Sequence, residues 1–282
     1  MEALLAARGR SLLWRDVGPA LVAAWLALMA VTAVAQAVPV APSAVLIAAE
    51  DDWAPYASAP AAGGSPKGMA VDLVREAMAT QGIEVRFAAV PFTRCMFMAR
   101  NGEAAGCFNA TIVADNRGDY HWHPTPMFHE ELAIFARGDG TAPANGASPI
   151  SLKDLEGRRV GYTLGYTYPA EFRQNPKIRK ISAKSDQVLI EMLLAGRVDH
   201  VLLNTAPAYL RLRQMGRPPQ ALAKVGVLSM DGFWVAFSRQ RPDGEALAAR
   251  FEAGLAALKS SGRLQALQQQ MRQSLGIADL PR

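Results

Sequence analysis

The sequence predicts an α/β protein of two lobes with a small-molecule cleft between them. Twice a helix-like run ends at a glycine and turns straight into a short strand. Phe92 to Asn101 passes through Gly102 to Gly106 into Cys107 to Thr111, and Gln187 to Ala195 passes through Gly196 to Asp199 into His200 to Asn204. Glycine suits a helix C-terminus because it reaches positive φ without a Cβ penalty, so each copy reads as one αβ unit of an open sheet. The copies lie far apart in the chain, which points to one sheet in each of two lobes. Open α/β sheets bind ligands beyond the carboxyl ends of their strands. There this chain places small polar residues, Asn109 and Thr111 in the first copy and Asn204 and Thr205 in the second.

At the start of the chain Arg8, Arg10 and Arg15 precede an apolar run from Val17 to Val34, broken only by Gly18, Pro19 and Thr32 and followed by Ala35-Gln36-Ala37 as a small-x-small cleavage site. This reads as a secretory signal over residues 1–37, directing the protein to the periplasm. A retained membrane anchor is the alternative, since the run approaches the roughly 20 residues of a spanning helix. Arg8-Gly9-Arg10 is not an adjacent arginine pair, which argues against twin-arginine export, and no cysteine follows the run to accept a lipid.

The mature chain opens with a strand at Val45 to Ala49, then the loop Glu50-Asp51-Asp52-Trp53-Ala54-Pro55-Tyr56, which brings acids and aromatics to a strand's carboxyl end. Ala57 to Lys67 is a turn region rich in Gly, Pro and Ser. Val71, Leu73, Val74, Ala77 and Met78 fall at helical spacing up to Gly82, and Ile83 to Phe87 alternates as a strand. That βαβ order implies a parallel sheet. Arg137 to Pro149 is a second linker, after which Ser151 to Leu155 resembles a capped helical turn before a strand at Arg159 to Thr163. Near the end Phe233 to Phe237 reads as a strand, and Gly244 to Leu275 as two helices separated by Gly262.

Removal of the leader leaves about 245 of the 282 residues, enough for one large domain or two modest ones. The net charge of +5 is spread without a basic stripe, which argues against nucleic acid as a partner. The two cysteines, Cys95 and Cys107, would meet if about six residues of helix rise at 1.5 Å each and about three of strand return at 3.3 Å. A disulfide is the favoured reading in an oxidising compartment; two buried free thiols are the other.

Six segments in order carry a family resemblance: Trp53-Ala54-Pro55-Tyr56, Gly68 to Leu73, Pro91-Phe92-Thr93-Arg94-Cys95, Asp115-Asn116-Arg117, Asp154 to Gly161 and Gly196-Arg197-Val198-Asp199. Together they resemble the family 3 extracellular solute-binding proteins, the polar amino-acid receptors of bacterial ABC importers. The resemblance implies a type II periplasmic binding fold with two crossover strands. It places residues 38–130 and 232–282 in lobe 1 and residues 131–231 in lobe 2. The expected function is to bind an amino acid or related carboxylate in the periplasm, as a monomer without cofactor, for delivery to an ABC permease in the inner membrane.

Residue by residue, the resemblance makes Trp53 the aromatic that packs on the ligand and Arg117 the arginine that grips its carboxylate, a role suited to a planar guanidinium fork. Tyr56 and Arg94 lie in the same motifs and join the candidate contacts, as do Asn109 and Thr111. From lobe 2, Thr163, Tyr166 and Thr167 match the loop after the family's Val-Gly strand. Asn204 stands where amino-acid receptors usually carry an aspartate for the α-ammonium. The missing charge implies either that Glu50, Asp51 or Asp52 supplies it, or that the solute lacks a free amine.

The blander readings are a salt bridge for Arg117, turn and strand-end hydrogen bonds for Asn109 and Thr111, and packing for Tyr162, Tyr166 and Tyr168. His121-Trp122-His123 would put two imidazoles on one strand face, but with no matching Cys or carboxylate cluster in sequence no metal site is expected. The same fold hosts periplasmic enzymes such as cyclohexadienyl dehydratases, so a catalytic role for Glu50, Asp51, Asp52, Glu130 or Glu131 is the alternative function, along with a ligand-sensing module.

Overall fold

The computed structural model describes residues 44–60, 64–138 and 149–275. The expected leader and parts of both linkers lie outside them. No helix among the described residues is long and apolar enough to cross a membrane.

The chain forms β1 (Val45–Glu50), a small hairpin of β2 (Asp52–Trp53) and β3 (Ala57–Ser58), α1 (Met69–Thr80), β4 (Val85–Val90), α2 (Phe92–Arg100), β5 (Gly106–Ala110), β6 (Tyr120–Trp122) and β7 (Phe128–Arg137). After a 3-10 turn at Leu152–Leu155 follow β8 (Arg159–Thr163), α3 (Ala170–Gln174), β9 (Arg179–Ala183), α4 (Asp186–Leu194), β10 (His200–Asn204), α5 (Thr205–Gln214), β11 (Leu222–Ser238), α6 (Gly244–Ser260) and α7 (Arg263–Leu275). The main sheet runs β4-β1-β5-β11-β7-β10-β8-β9, with β6 paired to the end of β11.

In the first lobe β4, β1 and β5 are parallel. Side chains alternate across a strand, so Ile47 and Ala49 of β1 point to one face while Ala48 points to the other. The first face buries Leu73, Val74 and Met78 of α1 with Phe251 and Leu255 of α6 and Leu264 and Leu267 of α7. The opposite face buries Cys95 and Ala99 of α2 against Cys107 and Ala236. Cys95 and Cys107 are joined by a disulfide, their Cα atoms 5.4 Å apart. In the second lobe β10, β8 and β9 are parallel, and α4 and α5 cover one face through Leu189, Leu193, Ala208 and Leu212. The other face packs Val160 and Leu202 against Tyr168, Phe172 and Leu155.

Two strands join the lobes. Residues 222–233 of β11 pair antiparallel with β7, and residues 234–238 pair with β5 and β6. Strand β7 also pairs with β10 through Leu132 to Phe135. From sequence only Phe233 to Phe237 reads as strand here. The remainder of β11 carries register shifts between Lys224 and Gly226 and between Val227 and Ser229, and each shift breaks the two-residue alternation that marks a strand. Strand β4 begins at Val85, later than Ile83, because the end of α1 consumes the intervening residues. Gly82 takes φ 69° and the Ile83 amide donates to the Met78 carbonyl at 3.1 Å, a six-to-one closure that satisfies the helix C-terminus.

Candidate functional site

A cavity of about 480 Å³, counted to its open mouth, lies between the lobes. Its wall is built largely from strand carboxyl ends and the residues just beyond them: Glu50 at the end of β1, Asn109 in β5 and Thr111 just after it, and Asn204 at the end of β10. Parallel strands from both lobes thus deliver their polar ends to one space. The lobes also touch around it. Tyr166 donates to Glu50 Oε1 at 2.5 Å, Phe92 meets the Tyr166 ring edge-on at 5.7 Å, Arg173 pairs with Asp115 at 2.8 Å, and Arg211 pairs with Asp52. At the close approach of the loop after β8 to α2 sits Gly165 with φ 87°, where a Cβ would lie 2.4 Å from Thr93 Oγ1. Only a residue without a side chain fits both demands.

The β5 side of the wall is shaped by a bulge. Ala110 pairs with Trp234 and Phe108 with Val235, leaving Asn109 as the extra residue, at φ 65°. Bulges re-aim a side chain beside a functional site, and asparagine is among the few non-glycine residues that tolerate this backbone region. Asn109 is 4% exposed, yet among the described residues neither its Oδ1 nor its Nδ2 has a hydrogen-bond partner, and the buried Thr111 hydroxyl beside it has none either. Leaving such groups unmade costs about 1–3 kcal/mol each, so their orientation is that of a surface built to meet something.

The aromatic wall is Trp53 with Phe233, ring centroids 5.0 Å apart. The β2–β3 hairpin sets Trp53, and Tyr56 supports it from behind at 4.7 Å while stacking on Phe128 at 4.5 Å. The Tyr56 hydroxyl bonds Glu130, whose other oxygen accepts the Ala206 amide at the start of α5.

The electrostatics are one-sided. Glu50, Asp186 and Asp231 line the cavity, and among the described residues no lysine or arginine does. Burial pushes the Glu50 carboxyl up to about 8, opposed by the bond from Tyr166 and reinforced by Asp186, Asp51 and Asp52. Asp186 is raised to about 6 by burial, against the Thr163 hydroxyl that donates to its Oδ1 at 2.5 Å and the charge of Arg211. Asp231 is also raised by burial, its Oδ2 accepting from Ser229 at 3.0 Å.

Of the residues expected from sequence, Trp53, Asn109, Thr111, Tyr166, Thr167 and Asn204 line the cavity. Asn204 donates through Nδ2 to the Glu131 carbonyl at 3.1 Å. Thr163 is buried beside the cavity with its hydroxyl committed to Asp186, and Tyr56 is a layer behind Trp53. Two residues are not brought in. Arg94 sits on the exposed side of α2, paired with Glu103 at 2.5 Å and lying over the Phe97 ring at 5.0 Å. Arg117 is exposed in the loop after β5. There the Asn116 side chain turns the backbone by accepting the Val113 amide at 2.9 Å and donating to the Thr111 carbonyl at 2.8 Å. The grip of Arg117 on a carboxylate is therefore not assembled in this arrangement. His121 and His123 do not share an environment: His123 is buried, its Nε2 accepting the Val235 amide at 2.9 Å, and burial lowers its pKa to about 4.

Asp186 and Asp231 are wall carboxylates that sequence reading missed, and for Asp186 a signal was present. The helical pattern begins visibly at Gln187, but Ser185 caps that helix through the Val188 amide, which makes Asp186 its first residue, just beyond a parallel strand. A carboxylate in that position was the available signal.

Comparison with known proteins agrees with this architecture. The model of bacterial extracellular solute-binding proteins, family 3, matches residues 45–273, and the chain belongs to that family. The ABC transporter arginine-binding protein 1 of Escherichia coli (strain K12) is 27% identical over 147 residues, 52% of this chain and 57% of the relative, so the chain matches little more than half of that protein's length. A histidine kinase sensor domain with similarity to periplasmic binding proteins superposes with a TM-score of 0.69 at 22% identity, covering 82% of this chain and 96% of that one. A mutant of ArgBP from T. maritima gives 0.66 at 22% identity, covering 80% and 94%. At these identities the structural likeness speaks for the fold: two lobes of the type II periplasmic binding kind, joined by two crossover strands around a cleft.

Proposed function

We propose that this family member is a periplasmic receptor that captures a small polar solute, an amino acid or related carboxylate, and presents it to an ABC permease of the inner membrane. It acts as a monomer and without catalysis. Residues 1–37 serve as the export signal, residues 38–130 and 232–282 form the first lobe, and residues 131–231 form the second. The observation that carries the reading is Asn109, held by a bulge in a left-handed conformation with its buried amide unpaired and turned into an interlobe cavity. Groups from both lobes line that cavity, so one solute engaging them ties the lobes together. Trp53 and Phe233 cover its apolar part, and Thr111, Thr167 and Asn204 add polar contacts.

A thermal-shift panel of amino acids, amines and small carboxylates on the exported protein tests this. A solute at a hundred times its Kd stabilises the folded state by about 2.7 kcal/mol, which for a domain of this size is a rise of roughly 5 to 10 °C. A panel in which nothing shifts the melting temperature overturns the receptor reading. A buried Glu50 raised to about 8 is also what a general acid would need, which keeps the catalytic alternative specific. Product formation from prephenate-like substrates, followed by absorbance and abolished by Glu50→Gln, would favour it.

A further inference from the structure

We propose that Glu50 and Asp186, one from each lobe, form a two-carboxylate seat for the cationic head of the solute, an amine or guanidinium group. The inference rests on the cleft being the solute site proposed above. Asn204, at the end of β10, supplies no charge, and its amide is engaged with the Glu131 carbonyl. In the second lobe a buried carboxylate instead stands at the start of α4, where Asp186 is 7% exposed and lines the cavity, with the less buried Asp231 also on the wall. Its Oδ1 takes the Thr163 hydroxyl and its Oδ2 accepts no hydrogen bond among the described residues. Glu50 mirrors it from the first lobe, 4% exposed, with Oε1 on Tyr166 and no donor to Oε2 among the described residues.

Two buried carboxylates facing one cavity with no basic side chain in its wall are unfavourable by themselves and become favourable around a cation that reaches both. The unpartnered Asn109 amide and Thr111 hydroxyl, independent of the acids, mark the same cavity as the place where a ligand makes its hydrogen bonds. A guanidinium or ammonium offers donors only, which suits carboxylates and the Asn109 carbonyl oxygen together. The pair also makes closure selective, because a cation that bridges Glu50 and Asp186 is bound fully only when the lobes meet.

Isothermal titration of the exported protein with arginine, agmatine, citrulline and glutamate tests the seat. Citrulline replaces the guanidinium by a neutral urea of similar shape, and agmatine keeps the guanidinium without a carboxylate. Arginine or agmatine should bind at least about tenfold more tightly than citrulline, and glutamate not measurably, a factor worth roughly 1.4 kcal/mol. Asp186→Asn keeps an acceptor for Thr163, and Glu50→Gln keeps one for Tyr166, so both should fold. Each should lose at least about tenfold for the cation while its preference over citrulline collapses, which a purely structural role would not produce. The seat is overturned if either variant keeps parental affinity and preference. It is also overturned, with the receptor reading intact, if citrulline, glutamate or another uncharged or anionic member of the panel binds in a Trp53-dependent way while cations do not. If no member of the panel binds, the receptor reading and the seat fall together.

Discussion

Tyr166 and Glu50, 116 residues apart in the chain and on opposite lobes, share a 2.5 Å hydrogen bond at the wall of the cavity. It is the sole hydrogen bond that either side chain makes among the described residues. Among the contacts that couple the lobes, this one therefore runs through a carboxylate that also lines the cavity.

Tyr166→Phe removes the donor and leaves Glu50 buried without a partner. The expected loss is about 1–3 kcal/mol of unfolding free energy, read from urea midpoints and larger at pH 9 than at pH 5, because a hydrogen bond to an ionised acceptor is worth more than one to a neutral carboxyl. Equal midpoints for variant and parent at both pH values would show that the contact contributes nothing.

The pH dependence of stability follows from two buried groups of opposite sense. Glu50 is raised from 4.5 to about 8 by burial, with Tyr166, Asp186, Asp51 and Asp52 facing it and Arg211 acting on Asp186. Its raised pKa adds stability that is complete below 4.5 and is lost as pH climbs through 8. His123 is lowered from 6.5 to about 4, so its contribution is complete above 6.5 and is lost as pH falls through 4. Between pH 6.5 and 8 Glu50 dominates. There the parent should lose up to about 1.4 kcal/mol per pH unit relative to Glu50→Gln, read from paired denaturation curves. Solute cations should bind more tightly over the same rise, since ionised Glu50 is the form that holds them. A flat difference between parent and variant would mean that Glu50 is not protonated at neutral pH.

Asn109→Gly separates binding from folding. Glycine adopts φ 65° freely and removes two buried polar atoms that lack partners, gains that offset its larger chain entropy. Stability should stay within about 1 kcal/mol of the parent. Affinity for the solute identified by the panel should drop at least about tenfold. An unchanged affinity would remove Asn109 from the site.

The link between Cys95 and Cys107 closes a short loop, the residues being 12 apart in sequence. On the chain-entropy account its loss through the double Cys→Ser change should cost about 3 kcal/mol. Thiol titration of the denatured, unreduced protein should find no free thiol; two would show that the bond does not form in the exported protein.

Much of this protein is legible in its sequence because the signals are local. A glycine after a helical run, alternation over five residues, and a serine or proline before a helix act through the few residues beside them. Accordingly β1, β8, β10, α2, α4 and the α6–α7 pair fall within a residue or two of where those patterns put them. Of the six motifs shared with the solute-binding family one brings Trp53 to the cavity, while the two helix-glycine-strand units bring Asn109, Thr111 and Asn204 there and the loop after the Val-Gly strand brings Tyr166. What the sequence could not decide is which charges face inward, because that depends on how distant segments approach. Arg117 points to solvent through a turn fixed by Asn116, and Arg94 is held on the surface by Glu103. Asp186 gains its place only when the second sheet brings the start of α4 beside Thr163. Burial then does what no local pattern encodes: it withdraws water from Glu50 and Asp186 together, raises both, and turns two ordinary acidic residues into the dominant electrostatic feature of the cleft.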